Sequence, residues 1–281
     1  MGRLDNRVAL VTGAGRGQGR SHAVRLAEEG ADIIGIDICR DIDTTHYAMS
    51  TEDDLAQTAA LVEETGRRAF FRQADIRDLG ALGAALDDGV TQLGRLDVAV
   101  ANAGIFSVGP AVELEERTWQ DVIDVNLTGA WHTAKVAVPH IRAGSRGGSV
   151  IFISSAAAML TPPGIAHYNA AKAGVNALMK TMAAELGPEF IRVNSVNPGN
   201  VDTAMIDNEF TRRLFLPELE HPTKADAEKH ESAYVRMNAI PVPWIEPADV
   251  TNLVAFLASD EARYMTGVAC PVDAGYLVKK G

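Results

Sequence analysis

Tyr168 and Lys172 stand four residues apart in the run His167-Tyr168-Asn169-Ala170-Ala171-Lys172, with Ser155 upstream. On a helix, positions four apart share one face, so the lysine ammonium would sit beside the phenol oxygen. A free phenol titrates near pH ~10, and service as a base near neutrality takes about 3 to 4 kcal/mol of differential stabilisation of the phenolate. A fixed positive charge can supply much of that. A Tyr-Lys pair at helical spacing is also ordinary helix surface, so the pair counts as chemistry only in the right company.

That company begins near the N-terminus. Arg7-Val8-Ala9-Leu10-Val11 reads as a short buried strand leading into Thr12-Gly13-Ala14-Gly15-Arg16-Gly17-Gln18-Gly19. Gly13, Gly17 and Gly19 punctuate a strand-to-helix turn that must bend tightly, approach a pyrophosphate and pack the next helix on the sheet. The helix over 18–29 offers its free N–H groups and positive dipole end to phosphate, with Gln18 in its first turn. A second strand at 32–36 ends on Asp37, which is placed to accept hydrogen bonds from both hydroxyls of an adenosine ribose. A carboxylate there opposes a 2'-phosphate: at about 4 Å and an effective dielectric near 20 the repulsion is roughly 4 kcal/mol per unit charge. The expected cofactor is therefore NAD. Arg16 is the counter-signal, a guanidinium able to pair with a phosphate or to stack on the pyrophosphate.

The elements that must hold these residues alternate along the chain. Further strands are expected at 69–73, 98–101, 149–154, 192–196 and 268–272, and further helices at 51–65, 79–93, 115–142, 167–186 and 247–258. Runs such as Val98-Ala99-Val100, apolar without alternation, suit a parallel sheet covered on both faces. With right-handed crossovers this is an α/β, Rossmann-type doubly wound parallel sheet of about seven strands, helices on both faces, and a small helical lid. No linker or low-complexity stretch divides the chain, so residues 1–281 read as one domain, with an insert at 38–50 and a lid at 204–245. Ligands of such sheets bind beyond the strand carboxyl ends, where Asn102-Ala103-Gly104, Ser154-Ser155 and Asn197-Pro198-Gly199 fall. Asn126 lies mid-helix, where an Asn is usually only a surface residue.

In their joint order, Thr12-Gly13-x-x-x-Gly17-x-Gly19, Asn102-Ala103-Gly104, Asn126, Ser155, Tyr168-x-x-x-Lys172 and Pro198-Gly199 resemble the short-chain dehydrogenase/reductase family over nearly the whole chain. The resemblance implies that Tyr168 is the general base or acid, and that Lys172 lowers its pKa while holding the nicotinamide ribose. It implies that Ser155 bonds the substrate oxygen and that Asn126 supports a water relay to Lys172. Asp75 and its neighbour Ile76 match the family's adenine contact, and Val201 and Thr203 match the residues that hold the nicotinamide carboxamide. Ile38 and Cys39, following Asp37, join the expected cofactor contacts. Ala101 departs from the family, which usually carries another Asn there.

The insert, Ile38 through Ser50, is longer than an ordinary βα loop and lies beside Asp37, where it can fold over the adenosine end or stay a solvated surface loop. Together with Arg16-Gly17-Gln18-Gly19-Arg20-Ser21-His22 it resembles the actinobacterial subfamily linked to the redox peptide mycofactocin, among which carveol dehydrogenases are grouped. The implication is a non-exchangeable NAD whose electrons leave through an external carrier such as mycofactocin. In the lid, Met205, Ile206, Phe210, Leu214, Phe215, Leu216, Met237 and Trp244 offer apolar surface, most of it lid packing, interleaved with a charged, solvated run. Phe106, Met159, Leu160 and Met205, with Ser155, suggest an apolar pocket for a medium-sized secondary alcohol or ketone such as a cyclic terpenoid.

A net charge of -11 and scattered basic residues disfavour nucleic acid as a partner. Two cysteines and seven histidines form no disulfide framework or metal spacing, and no run nears the roughly 20 apolar residues that span a bilayer. A cytoplasmic protein is expected, and the family resemblance implies a homotetramer formed through the long helices. Two rival readings are an NADP-dependent ketone or 3-oxoacyl reductase, opposed by Asp37, and a non-catalytic NAD-binding sensor, which would not need Asn126, Ser155, Tyr168 and Lys172 together.

Overall fold

The computed structural model describes residues 2–279. Seven strands, β1 (Val8–Thr12), β2 (Asp32–Asp37), β3 (Ala69–Gln73), β4 (Val98–Ala101), β5 (Gly148–Ile153), β6 (Ile191–Pro198) and β7 (Ala269–Val272), form one sheet in the order β3-β2-β1-β4-β5-β6-β7. Every pairing is parallel. The helices are α1 (Gly17–Glu28), α2 (Glu52–Glu64), α3 (Leu79–Leu93), α4 (Glu116–Ile123), α5 (Ala130–Ala143), α6 (Ala157–Leu160), α7 (Ala166–Leu186), α8 (Glu209–Phe215), α9 (Lys224–Ala227), α10 (Ala233–Arg236) and α11 (Pro247–Ala258). The doubly wound sheet expected from the apolar runs is present, and most of its boundaries fall within one or two residues of the sequence reading.

Successive residues of a strand face opposite ways, so β1 feeds two cores. Ala9 and Val11 join Leu26 of α1, Val62 of α2 and Val254 of α11 on one side. Val8 and Leu10 join Leu86 of α3, Ile141 of α5 and Met179 of α7 on the other. All five residues of β1 and all four of β4 are buried, which is why these strands carry no polar alternation. Local signals set the helix ends. Thr51 and Asp54 form a capping box at α2, and Asp78 caps α3, which stops at Gly94 in the left-handed conformation with φ +89°.

The helix expected over 115–142 is interrupted. Between α4 and α5 the six residues Asp124–Gly129 form a π-helical segment, and Asn126 lies within it. Such segments are rare and concentrate at functional sites. The segment expected as a lid contains three short helices around a core of its own, in which Leu216, Ala227, Tyr234 and Trp244 are buried. Lys224 joins the lid to the loop after β6: its Nζ lies 2.5 Å from Asp202 Oδ2 and 5.0 Å from the centre of the Trp244 ring. The order of the sheet reverses between β1 and β4, and the crevice beyond their carboxyl ends is where a doubly wound sheet binds its ligand.

Candidate active site

The glycine turn is backbone laid bare. A Cβ on Gly13, whose φ is +67°, would come within 2.8 Å of Ala103 Cα, and one on Gly19 would stand 1.9 Å from the Gly13 carbonyl oxygen. Asn102 Nδ2 clamps the turn by donating to the carbonyls of Thr12 at 2.9 Å and Gly13 at 3.2 Å. At the start of α1, Arg16 supplies no side-chain cap and the first turn carries no acid, so its N–H groups are free for an anionic ligand. The Arg16 guanidinium is engaged elsewhere, donating to the Ala48 carbonyl of the insert. Asp37, at the end of β2, is buried and accepts from Gly15 N at 2.8 Å, Cys39 N at 3.0 Å and Ser50 Oγ at 2.5 Å. These bonds fix its carboxylate at the edge of the cleft.

The cleft runs from Asp37, Ile38, Asp75 and Ile76 past Gly13, Arg16, Gly17, Gln18 and Gly19 to Asn102, Ala103 and Gly104, and ends on Tyr168, Lys172 and Thr203. This uninterrupted lining, with a bare-backbone turn in the middle and a carboxylate at one end, fits an extended dinucleotide. Cys39 is the exception. Its backbone N–H is taken by Asp37 and its side chain packs on the core behind the sheet, so it does not line the cleft. Burial, with Asp37 nearby, pushes its thiol up to about 12, which leaves it inert. Asp75 is held below the usual carboxylate range by the Arg77 fork at 2.7 Å, against the opposing effect of burial.

Asn126 is wholly buried and spends its amide on one backbone unit. Nδ2 donates to the Ile105 carbonyl at 2.8 Å and Oδ1 accepts from the Ile105 N–H at 3.1 Å. It thereby ties the π-helical segment to the loop after β4. Gly104 passes so close that a Cβ there would meet Asn126 Oδ1 at 2.7 Å and Lys172 Nζ at 3.4 Å.

Ser155 follows β5 and is held by β6, where Asn197 Nδ2 donates to its carbonyl at 3.0 Å and Ala156 N donates to the Pro198 carbonyl at 2.8 Å. Tyr168 and Lys172 lie on α7 as their spacing predicts, with Lys172 Nζ 5.6 Å from the centre of the Tyr168 ring. Lys172 is buried and donates to the Ile153 carbonyl at 2.8 Å, and burial lowers it to about 8. Burial raises the Tyr168 phenol, with the Ser155 hydroxyl pulling the other way. This direction is opposite to the one expected from the lysine alone. In the protein by itself burial presses both groups toward their neutral forms.

The insert crosses the cleft as a strap, and the spacing of the motifs gave no sign of its contacts. Ile42, Tyr47, Met49 and Ser50 line the cleft. The Tyr47 hydroxyl accepts from the Phe106 N–H at 3.1 Å, His46 stacks on Phe210 of α8 with ring centres 3.8 Å apart, and Thr44 donates to Asp121 at 2.9 Å. Ile42, Tyr47 and Met49, large apolar or aromatic residues within a mostly polar insert, were the available signal.

A second cavity of about 370 Å³ opens from the Tyr168 end of the cleft. Ser155, Phe106, Pro198, Gly199, Val201, Met205, Ile206, Leu214, Phe215 and Met237 line it, and among the described residues no charged side chain does. Met159 and Leu160, expected at this pocket, are 42% and 44% exposed and do not line it. They sit on the single turn of α6, which ends at Thr161 in the left-handed conformation, and Ala156, Ala157 and Pro162 form the wall instead. Among the lid residues, Leu216 and Trp244 are lid core and Phe210 serves the strap.

A family profile described as short chain dehydrogenase matches residues 7–213. The chain belongs to the short-chain dehydrogenase family. Within that family it is 53% identical over 281 residues to (-)-trans-carveol dehydrogenase of Rhodococcus erythropolis, covering 99% of this chain and 100% of that one. The crystal structure of carveol dehydrogenase from Mycobacterium avium in complex with NAD shares 52% identity and a TM-score of 0.97, over 99% of this chain and 100% of that one. A short chain dehydrogenase from Mycobacterium paratuberculosis, crystallised bound to NAD, shares 42% identity and a TM-score of 0.89 over the same shares of the two chains. Among the described residues no helix is long and apolar enough to cross a membrane, and no cluster of His, Cys, Asp and Glu could hold a metal ion.

Proposed function

We propose that this NAD-dependent short-chain alcohol dehydrogenase interconverts a medium-sized, uncharged secondary alcohol, of the size and polarity of a cyclic terpenoid such as carveol, and its ketone. The observation that carries the reading is the position of Tyr168, between a dinucleotide-shaped cleft and an apolar cavity without a charged wall. About 370 Å³ lies at the small end of the roughly 300–1,000 Å³ typical of small-molecule sites. Among the described residues no cationic side chain lines it, which disfavours carboxylate and phosphorylated substrates.

Asp37 would hold the adenosine ribose, Asp75 and Ile76 the adenine, and Val201 and Thr203 the carboxamide. Bound NAD supplies a hydride acceptor at the nicotinamide ring. Tyr168 takes the alcohol proton in oxidation and returns it in reduction, and Ser155 donates to the oxygen as it becomes a carbonyl. Lys172 stabilises the phenolate when a ribose hydroxyl and the cofactor's positive ring complete the site, and Asn126, through Ile105, keeps the loop beside Lys172 in place.

The strap supports a second element of the proposal: it holds NAD too tightly for ready exchange, and an external carrier such as mycofactocin collects the electrons. It is anchored to the loop after β4 at Phe106, to α8 at Phe210 and to α4 at Asp121, while Ile42, Tyr47, Met49 and Ser50 line the cleft. The free thiols Cys39 and Cys270 suit a reducing cytoplasm. Trp119 of α4 and Trp131 of α5, 38% and 40% exposed, suit burial between copies in a homotetramer.

The deciding experiment is turnover of carveol with an artificial electron acceptor by the wild type and Tyr168→Phe. The variant should lose at least about a hundredfold in rate, within the range of general acid–base catalysis, and keep NAD bound. Activity retained in Tyr168→Phe would remove the residue from the chemistry.

A further inference from the structure

The cofactor cleft and the apolar cavity meet at five residues that line both: Gln18, Ser154, Tyr168, Thr203 and Met205. Of their polar atoms, Ser154 Oγ is spent on the Lys172 carbonyl at 3.0 Å, and Thr203 Oγ1 donates to the Val201 carbonyl at 3.3 Å. Tyr168 is the candidate base. Gln18 has no such commitment: its Oε1 is closed to solvent and has no hydrogen-bond partner. A buried carbonyl oxygen left unpaired is unfavourable, so this position calls for a donor. A phosphate or a ketone cannot provide one, because both are acceptors, whereas a hydroxyl or an amide NH2 can.

We propose that the Gln18 amide turns its Oε1 to the seam between cleft and cavity, where it accepts a hydrogen bond from the carboxamide NH2 of the nicotinamide and so sets the rotation of the ring. The inference rests on the reading of the cleft as the NAD site. It gives the side chain of Gln18 a role separate from that of the backbone around it, whose N–H groups serve phosphate. Thr203 keeps its lone pairs while donating to Val201, so it can receive the second carboxamide hydrogen. The isolated β-bridge between Val201 and Ile245 uses the Asp202 N–H and the Asn200 carbonyl, which leaves the Val201 N–H for the carboxamide oxygen. Every donor and acceptor of that amide then has a partner in this chain.

The test compares binding of NAD with binding of 3-acetylpyridine adenine dinucleotide, in which a methyl group replaces the NH2, to full-length protein freed of nucleotide, by isothermal titration. The wild type should prefer NAD. Gln18→Met, of similar length but without the amide, should lose roughly three- to tenfold of that preference, through weaker NAD binding alone. Gln18→Glu keeps an acceptor oxygen, and its added charge acts equally on two ligands with the same pyrophosphate, so the preference should remain. An unchanged preference in Gln18→Met, or an equal weakening of both ligands, overturns the proposal. No turnover is involved, so failure of the alcohol dehydrogenase chemistry would leave the result readable. A wild type that bound neither dinucleotide would instead remove the cofactor reading beneath it.

Discussion

Lys172 offers a measurement in which the same burial that serves the site is read as stability. Its amine is lowered from 10.5 to about 8, with burial as the cause. At ~1.4 kcal/mol per pH unit this displacement is worth about 3 kcal/mol. At pH 7 both folded and unfolded chains carry the ammonium, and the folded state bears the full desolvation penalty. Between pH 8 and pH 10.5 the folded chain releases its proton while the unfolded chain still holds one, so this group's penalty fades as pH rises. Lys172→Met removes the titration and also orphans the Ile153 carbonyl, a pH-independent loss of about 1–3 kcal/mol. Near pH 7 the variant should therefore match the wild type or exceed it by up to about 2 kcal/mol, and by pH 10.5 it should fall behind by about 1–3 kcal/mol. Tyr47, Cys39 and Tyr168, all raised by burial, titrate in both proteins and largely cancel in the difference. Urea melts of the two proteins, freed of nucleotide, at intervals from pH 7 to 10.5 would give the curve. A stability gap that stays flat across that interval would refute the claim that Lys172 is charged at a desolvation penalty.

Asp37→Asn removes the charge facing a 2'-phosphate and should reduce discrimination against NADP at least tenfold, out of the roughly thousandfold that 4 kcal/mol represents; titrations with both dinucleotides check it, and undiminished discrimination would place the selectivity in the strap. The paired change Tyr47→Phe and His46→Ala removes one hydrogen bond and one aromatic stack, together about 2 kcal/mol, and should speed NAD release on the order of thirtyfold. Dinucleotide remaining on the protein after gel filtration reads this out, and equal retention would acquit the strap.

Chemistry carried by local spacing was legible in the sequence. Tyr168 and Lys172 share a helix face because four residues make about one turn, and β1 and β4 declared themselves by unbroken apolar runs. What escaped depends on contacts distant in sequence. The 124–129 segment departs from α geometry where Asn126 reaches Ile105, twenty-one residues upstream, and nothing in its own periodicity announces that. The strap has no regular element, so its anchors on Phe106 and Phe210 could not be placed. Met159 looked like pocket lining because it is apolar and close to Ser155, yet one turn of helix ending at Thr161 leaves it in solvent. Cys39 was adjacent to Asp37 in sequence, but its side chain packs on the core behind the sheet.

The π-helical segment also limits which length changes the gene can tolerate. It accommodates one residue more than an α-helix would over the same rise, and each residue of an α-helix advances the side chains by about 100°. A single deletion between Asp124 and Gly129 that restored α geometry would therefore leave α4 and α5 facing as they do, with Ala134, Ala137 and Ile141 of α5 still in the core, but it would remove the bulge from which Asn126 reaches Ile105. A deletion within α4 or α5 has no bulge to absorb it and turns one helix against the other by that angle. A sequence gap in this stretch should therefore be acceptable to the packing only at the π-helical segment, and there at the expense of Asn126.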